Sequence, residues 1–397
     1  MTWLEIRPQD VWLFRDGRPF NAGEDNSAQS MFPPTPMTLQ GALRQQISES
    51  HGLSYGAYKA GKSELAQKVG RYIGTYEAQK EQLEVGTFKM RGPFIGLNTG
   101  EQIMPLLPAP ADLLKKHDKE NNTHHFKITK PRSDVVISDL GNQVQLVEVY
   151  DDYENMPKHW LTADGFQEYL NGQVPESDQY FAPDDPILVQ KSAYQAVADG
   201  YTVLPNKLLY TLEGRFGVAT DSATSFREEG QLYQAQFVRV TENVALIADV
   251  TGDHGKEYAT GRLTLGGERR HTMSKQISNP PLLSNPLKQI SDRFKIVFLT
   301  PAYFAEGWLP TQGDWSPWFG ENAKLISAVL YRPEAIGGWN SATGGQRPMH
   351  RYVAPGSVYY FETDQAFKPP KAITESPPDI ADASAVGFGQ VIYGEWS

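Results

Sequence analysis

The sequence contains no cysteine, which removes disulfides, thiolate catalysis and cysteine-ligated zinc, and leaves a reducing, cytoplasmic setting unopposed. It has no apolar run long enough to span a bilayer and no charged-then-apolar signal at its start, so no membrane partner is expected. No G-x-x-x-x-G-K-S/T phosphate loop occurs, nor H-E-x-x-H, nor G-x-S-x-G, which sets aside the commonest NTPase, zinc-protease and esterase chemistries. Gly387-Phe388-Gly389 matches part of a dinucleotide fingerprint, but no helical pattern follows it. No cofactor and no metal are expected. Positive charge is also scarce, with 37 Lys+Arg against 47 Asp+Glu and a net charge of −10.

That balance looks wrong for a nucleic-acid binder until its distribution is considered. Between positions 148 and 186 ten acidic residues face a single cation, Lys158. The rest of the chain is close to neutral and carries local basic clusters, so the global charge says little about partners. A length of 397 residues exceeds the usual single-core size, which predicts two domains. The 28 prolines and 35 glycines argue for turns and long connections rather than a helical bundle.

Leu4 and Ile6 alternate with Glu5 and Arg7, the pattern of a half-buried strand over residues 2–7. An aromatic and basic run over 10–20 follows; Arg15 and Arg18 there either touch a polyanion or pair with nearby Asp10, Asp16, Glu24 and Asp25. Thr35 can cap a helix that opens with Pro36 and places Leu39, Leu43 and Ile47 on one face, with Arg44 near its seam. Strands are expected over 85–95 and 102–107. Residues 109–130 are weakly patterned and basic, with His117, His124 and His125; no carboxylate recurs at ligand spacing, so a flexible, solvated insertion is expected rather than a metal site. A short helix near 163–170 is capped by Thr162. The stretch 214–240 reads as a hairpin with a protruding polar tip, and 244–250 as a strand returning beside it.

The stretch 260–275 delivers Gly266-Gly267 from a short β-prone run, then Arg269, Arg270 and Lys275. Two glycines allow a sharp turn and close backbone approach, and exposed N–H groups with arginine forks favour phosphate. A plain Gly-Gly hairpin turn before a solvated basic strand accounts for the same residues. Beyond the proline-rich break at 279–286, a strand over 294–300, a spacer, paired strands, a second spacer and a final strand give a ferredoxin-like order. The first part of the chain opens with the same strand and helix. The expected fold is therefore α+β, with two tandem ferredoxin-like (RRM-like) domains over 1–285 and 286–397. The first carries a β-hairpin protrusion and an irregular insertion at about 109–205.

For binding chemistry the chain supplies these glycine turns together with Trp339, Arg347, His350 and Arg351. Single-stranded RNA is held by stacking and phosphate contacts on sheets of this kind. Core packing behind Gly337-Gly338 is the alternative role for Trp339. His271 and His350, each beside arginine, are candidates for acid–base RNA cleavage.

Seven motifs in order resemble a known family. They are V-W-L-F-R-D-G-R-P-F-N-A-G from Val11, P-T-P-M-T-L-Q-G-A-L-R from Pro34, E-E-G-Q-L-Y-Q-A-Q-F-V-R from Glu228, L-T-L-G-G-E-R-R from Leu263, R-P-E-A-I-G-G-W from Arg332, Y-V-A-P-G-S-V-Y-Y-F-E from Tyr352, and the closing G-F-G-Q-V-I-Y-G-E-W. Together they resemble the RAMP-superfamily third subunit of the type III-B CRISPR (Cmr) effector complex. The resemblance lapses over about 109–205. It implies a non-catalytic subunit that holds the 5′ repeat-derived tag of the crRNA. Its implied neighbours are the large polymerase-like subunit and the adjacent backbone RAMP subunit. By motif, Gly266, Gly267, Arg269 and Arg270 would lie close to the tag with Gly387 and Gly389, and Arg15, Arg18 and Arg44 would be further contacts. A RAMP-type repeat-RNA endonuclease and a purely protein-binding scaffold are the alternatives.

Overall fold

The computed structural model describes residues 2–15, 27–52, 72–73, 82–83, 87–132, 144–183, 185, 190–220, 227–252, 260–284, 289–340 and 345–396. The alternation at the start becomes β1 (Thr2–Pro8), with Leu4 and Ile6 buried. The helix α1 (Pro36–Ser50) starts as its sequence predicts: the Thr38 N–H donates to the Thr35 hydroxyl, and proline occupies the first turn. Its face of Leu39, Leu43 and Ile47 packs on Leu4, Ile6 and Leu246, leaving Arg44 4% exposed. Gly41 lies on the exposed side with open space around it.

Next come β2 (Lys89–Asn98) and β3 (Ile103–Pro108), then β4 (Leu113–Asp118) and β5 (Thr123–Ile128). The last two correct the expectation of a flexible, solvated insertion. They form a regular hairpin with Leu113 and Phe126 buried, entered through the buried Ala109 and Ala111. The histidines form a ring stack: His117 lies on His124 at 4.5 Å and 8°, and His124 packs against Tyr180 at 4.5 Å.

Burial first, and the neighbouring His117 and Lys115 next, push the His124 imidazole down to about 4; burial and Lys115 do the same to His159. Both rings are therefore neutral in the fold at pH 5, whereas an unfolded histidine, with its ordinary pKa near 6.5, binds a proton. Their contribution is full above pH 6.5 and is lost as pH falls towards 4. Denaturant midpoints should drop between pH 7 and 5, with a smaller drop in His159→Gln; an unchanged pH dependence in that variant would show His159 to be uninvolved.

After β6 (His159–Thr162), the helix α2 (Ala163–Leu170) spans the expected residues, with the Gly165 N–H on the Thr162 hydroxyl. Then follow β7 (Val203–Pro205) and the long hairpin β8 (Tyr210–Thr220) and β9 (Arg227–Val240), whose tip lies outside the described residues. The strand β10 (Val244–Thr251) does not return beside that hairpin, as its sequence position suggests. It pairs with β1 and β2, and all its residues but the last are buried, which requires partners on both faces. β11 (Gly261–Thr264) and β12 (His271–Ile277) complete a sheet in the order β7-β6-β3-β2-β10-β1-β12-β11. A second sheet is built from β13 (Ile290–Phe298), β14 (Lys324–Val329), β15 (Val358–Phe367) and β16 (Val391–Glu395), in the order β14-β15-β13-β16. Short helices α3 (Ser316–Phe319) and α4 (Ala383–Val386) lie in the β13–β14 and β15–β16 connections. The fold is thus mixed α and β, with few helices. Among the described residues no helix is long and apolar enough to cross a membrane.

The two sheets pack through Trp3, Phe94 and Ile247 on one side and Val297, Val358 and Tyr360 on the other. The insertion is part of that contact. Asp112 accepts from Tyr169 Oη at 2.7 Å, Tyr360 Oη at 2.6 Å and Lys295 Nζ at 3.1 Å, all buried.

Candidate nucleic-acid interface

The β11–β12 hairpin carries the Gly-Gly turn. Gly266 has φ of 80°, and a Cβ there would sit 2.5 Å from the Leu13 carbonyl oxygen and 3.1 Å from the Phe14 ring. Gly267 donates its N–H to that same carbonyl at 2.7 Å. The glycines therefore press the turn against residues 11–14, which are themselves fixed by Trp12 Nε1 donating to Thr272 Oγ1 at 2.9 Å. Gly266→Ala is expected to cost roughly 3 kcal/mol, from backbone strain plus overpacking. Gly41→Ala, in open space on the exposed side of α1, should instead stabilise by about 0.5–1 kcal/mol. Urea melts of both variants test this, and a Gly266→Ala loss below that of an ordinary surface change would rule out the close-packing role.

Past the glycines, Glu268 and Arg269 hold φ of 55° and 48°, a region uncommon for residues with a side chain. This backbone turns Arg270 back onto Glu268 as an ion pair, with its guanidinium 4.6 Å from the Phe237 ring centroid. Arg269 is exposed and makes no ion pair among the described residues.

Strand alternation then sends Thr272 and Ser274 inward and His271, Met273 and Lys275 outward. Arg7 of β1 and Arg262 of β11 both stand opposite Met273, so Arg7, Met273 and Arg262 form one row across three strands. Glu5, only 1% exposed, holds Lys275 Nζ at 2.7 Å and Arg7 Nε at 2.5 Å. Arg262 is exposed and has no acidic partner among the described residues. The result is an open, cationic sheet face in which Arg262 and Arg269 are available for phosphate. Arg7 and Arg262 escape sequence reasoning because they lie 255 positions apart and only strand register unites them. The outward position of Arg262 in the alternating T-G-R-L-T run was the available signal.

The other predicted residues lie elsewhere. Trp339 is 66% exposed rather than packed in a core, on an arm extending from Glu334–Ile336 and His350–Tyr352. Arg347 and His350, whose own segment lacks an acid, both meet Asp379, at 3.0 and 3.2 Å; Arg351 is exposed. Arg347 also reaches Met37 in the first turn of α1, whereas Gln46 in its last turns binds the Thr260 carbonyl before β11. Nine helical residues, about 14 Å, separate those two contacts. Gly387 and Gly389 are buried: a Cβ on the first would strike the Gly92 carbonyl, and one on the second the Ile373 carbonyl. Their N–H groups go to Ala383, Ser384 and Pro301. Arg44 is buried on α1, Arg15 is exposed beside Ser30, and Arg18 lies outside the described residues. Asp10 pairs with Arg239 and Arg215 of the β8–β9 hairpin. Among the described residues no group of three or more His, Asp or Glu could hold a metal.

Compared with known proteins, the chain matches the family described as CRISPR-associated protein (Cas_Cmr3) over residues 4–396. No curated protein matches it. Among solved structures it is similar to a chain in the cryo-EM structure of the Type III-B Cmr-beta bound to cognate target RNA and AMPPnP. That match has 14% identity and a TM-score of 0.47, covering 90% of this chain and 86% of that one. It is also similar to a chain in the crystal structure of the Csm3-Csm4 subcomplex in the type III-A CRISPR-Cas interference complex. There the identity is 10% and the TM-score 0.40, covering 95% and 100%.

Proposed function

Because this chain belongs to the CRISPR-associated Cas_Cmr3 family, we propose that it is a non-catalytic crRNA-binding subunit of a type III-B (Cmr) effector complex in the cytoplasm. It holds the 5′ repeat-derived tag and joins the large polymerase-like subunit to the adjacent backbone RAMP subunit in antiviral defence. The observation that carries this reading is the family match, which runs through both sheets.

Topology supports a tandem ferredoxin-like fold. Numbered within each unit, β1, β2, β10 and β12 lie in the order 2-3-1-4, and so do β13, β14, β15 and β16. The RNA part of the reading is supported by the open row of Arg7, Met273 and Arg262 with Arg269 beside it. Arginines supply phosphate contacts there, and Met273 gives an apolar surface for a base.

The test is a binding assay with single-stranded RNA bearing the tag, against a scrambled RNA of equal length. Tag-preferring, salt-sensitive binding by the chain or its assembled complex is expected, with the RNA left intact. Cleavage of repeat RNA that disappears in His350→Ala or His271→Ala would replace this reading with the endonuclease. No RNA crosslink to this chain within the complex would replace it with the scaffold.

A further inference from the structure

Outside the cationic face, a cleft opens between the two sheets, with about 520 Å³ of empty space including its mouth. Its walls are apolar and rich in proline: Pro36, Pro93, Leu106, Pro301 and Phe32 line it, and Glu334 is the one charged residue among the lining residues described. Glu334 stands at the root of the arm that bears Trp339. Its carboxylate makes no ion pair and accepts no hydrogen bond among the described residues. Burial alone pushes it up to about 7, with no neighbouring cation to oppose the shift.

A carboxylate placed in such a setting without a partner is costly. Glu334 is only half-buried, so a charged head can reach it from solvent. A cation with an aliphatic stem satisfies both features: the stem lies on the apolar walls and the charged head meets the carboxylate. The walls are ready for it, because proline loses no rotamer freedom on burial. A nucleotide fits poorly, since no lysine, arginine or histidine lines the cleft to meet its phosphate and Glu334 would repel it.

We propose that this cleft receives one basic side chain, arginine or lysine, presented by a neighbouring protein chain, with its head on Glu334. This goes beyond the RNA-binding reading and stands without it, because it involves none of the residues on the cationic face.

The experiment uses the full chain with n-butylguanidinium and n-butylammonium as probes, n-butylurea as the neutral isostere, and guanosine and adenosine as nucleobase probes. Binding is read by saturation-transfer NMR, and the Glu334 carboxyl by ¹³C NMR, assigned by its loss in Glu334→Gln. Saturable binding of the two cations is expected, at least tenfold weaker in Glu334→Gln. The Glu334 titration midpoint should fall by about one pH unit when a cation binds. Cation binding that survives Glu334→Gln, a failure of the cations to move the Glu334 resonance, or equal binding of n-butylurea would overturn the proposal. Preferential binding of either nucleoside would reassign the cleft to a base.

Discussion

Asp112→Ala is expected to lower the unfolding free energy by about 3–5 kcal/mol, the cost of leaving a buried ammonium without its counter-charge. Lys295 is buried, and burial drives its pKa down while Asp112 opposes that shift. Its Nζ lies 3.1 Å from Asp112 Oδ2 and 3.8 Å from the centroid of the Tyr169 ring. Tyr169 and Tyr360 donate to the same carboxylate, and burial raises both phenols, so removing Asp112 also strands two hydroxyls. Tyr360 has the Thr129 carbonyl as a second acceptor at 2.7 Å, which softens its loss. The Asp112→Leu/Lys295→Met pair should recover most of the stability, because an apolar substitute for a buried ion pair is often neutral. Denaturant unfolding of the wild type, both single variants and the pair closes the cycle. A loss in Asp112→Ala of under about 1 kcal/mol, the range of an exposed pair, would mean that water reaches Lys295 and that the network does not hold the insertion to the second sheet.

That network also marks where the sequence stops being readable. The start of α1 is legible because its signals are local: Thr35, Pro36 and three apolar residues at helical spacing lie within thirteen positions. The same holds for α2, with Thr162 as its cap. The β4–β5 hairpin is illegible because Lys115, Lys116 and His117 read as solvated. Its burial comes from partners far along the chain, as the separation of Asp112 from Lys295 and Tyr360 illustrates. β10 looks like the return arm of a hairpin, yet its two partners are β1 and β2, each more than 140 positions away. At the site, the need for glycine at 266 can be read, but the reason cannot, since the obstacle is the Leu13 carbonyl. The acid that holds Arg347 and His350 is likewise remote, at Asp379.

The Arg262→Glu/Arg269→Glu pair is expected to weaken binding of tag RNA by about a hundredfold or more, given roughly 1.5–3 kcal/mol for each hydrogen bond to a charged group, the loss of both, and about 1.4 kcal/mol per tenfold. Part of the effect is electrostatic at long range, so salt provides a second readout. Each phosphate contact to a single strand contributes about 0.7 to the slope of log affinity against log salt, so neutral Arg262→Ala/Arg269→Ala should reduce that slope by about 1.4. Arg270→Ala should do less, because its guanidinium already pairs with Glu268 and packs on Phe237. Its removal would, however, free Glu268 to repel phosphate, so a modest loss is expected there. Arg351→Ala, on the separate arm by the first turn of α1, serves as the control for general charge. The wild type, the two Arg262/Arg269 double variants and Arg351→Ala should share one melting midpoint, since Arg262, Arg269 and Arg351 are exposed. If the Arg262→Glu/Arg269→Glu protein binds tag RNA within twofold of wild type near 0.1 M salt, where the screening length is about 10 Å, the sheet face is not the RNA site. If Arg351→Ala alone weakens binding, the site belongs to the Trp339 arm instead. A loss confined to the β11–β12 face would tie the RNA to the surface that strand register assembles from Arg7, Arg262 and Met273.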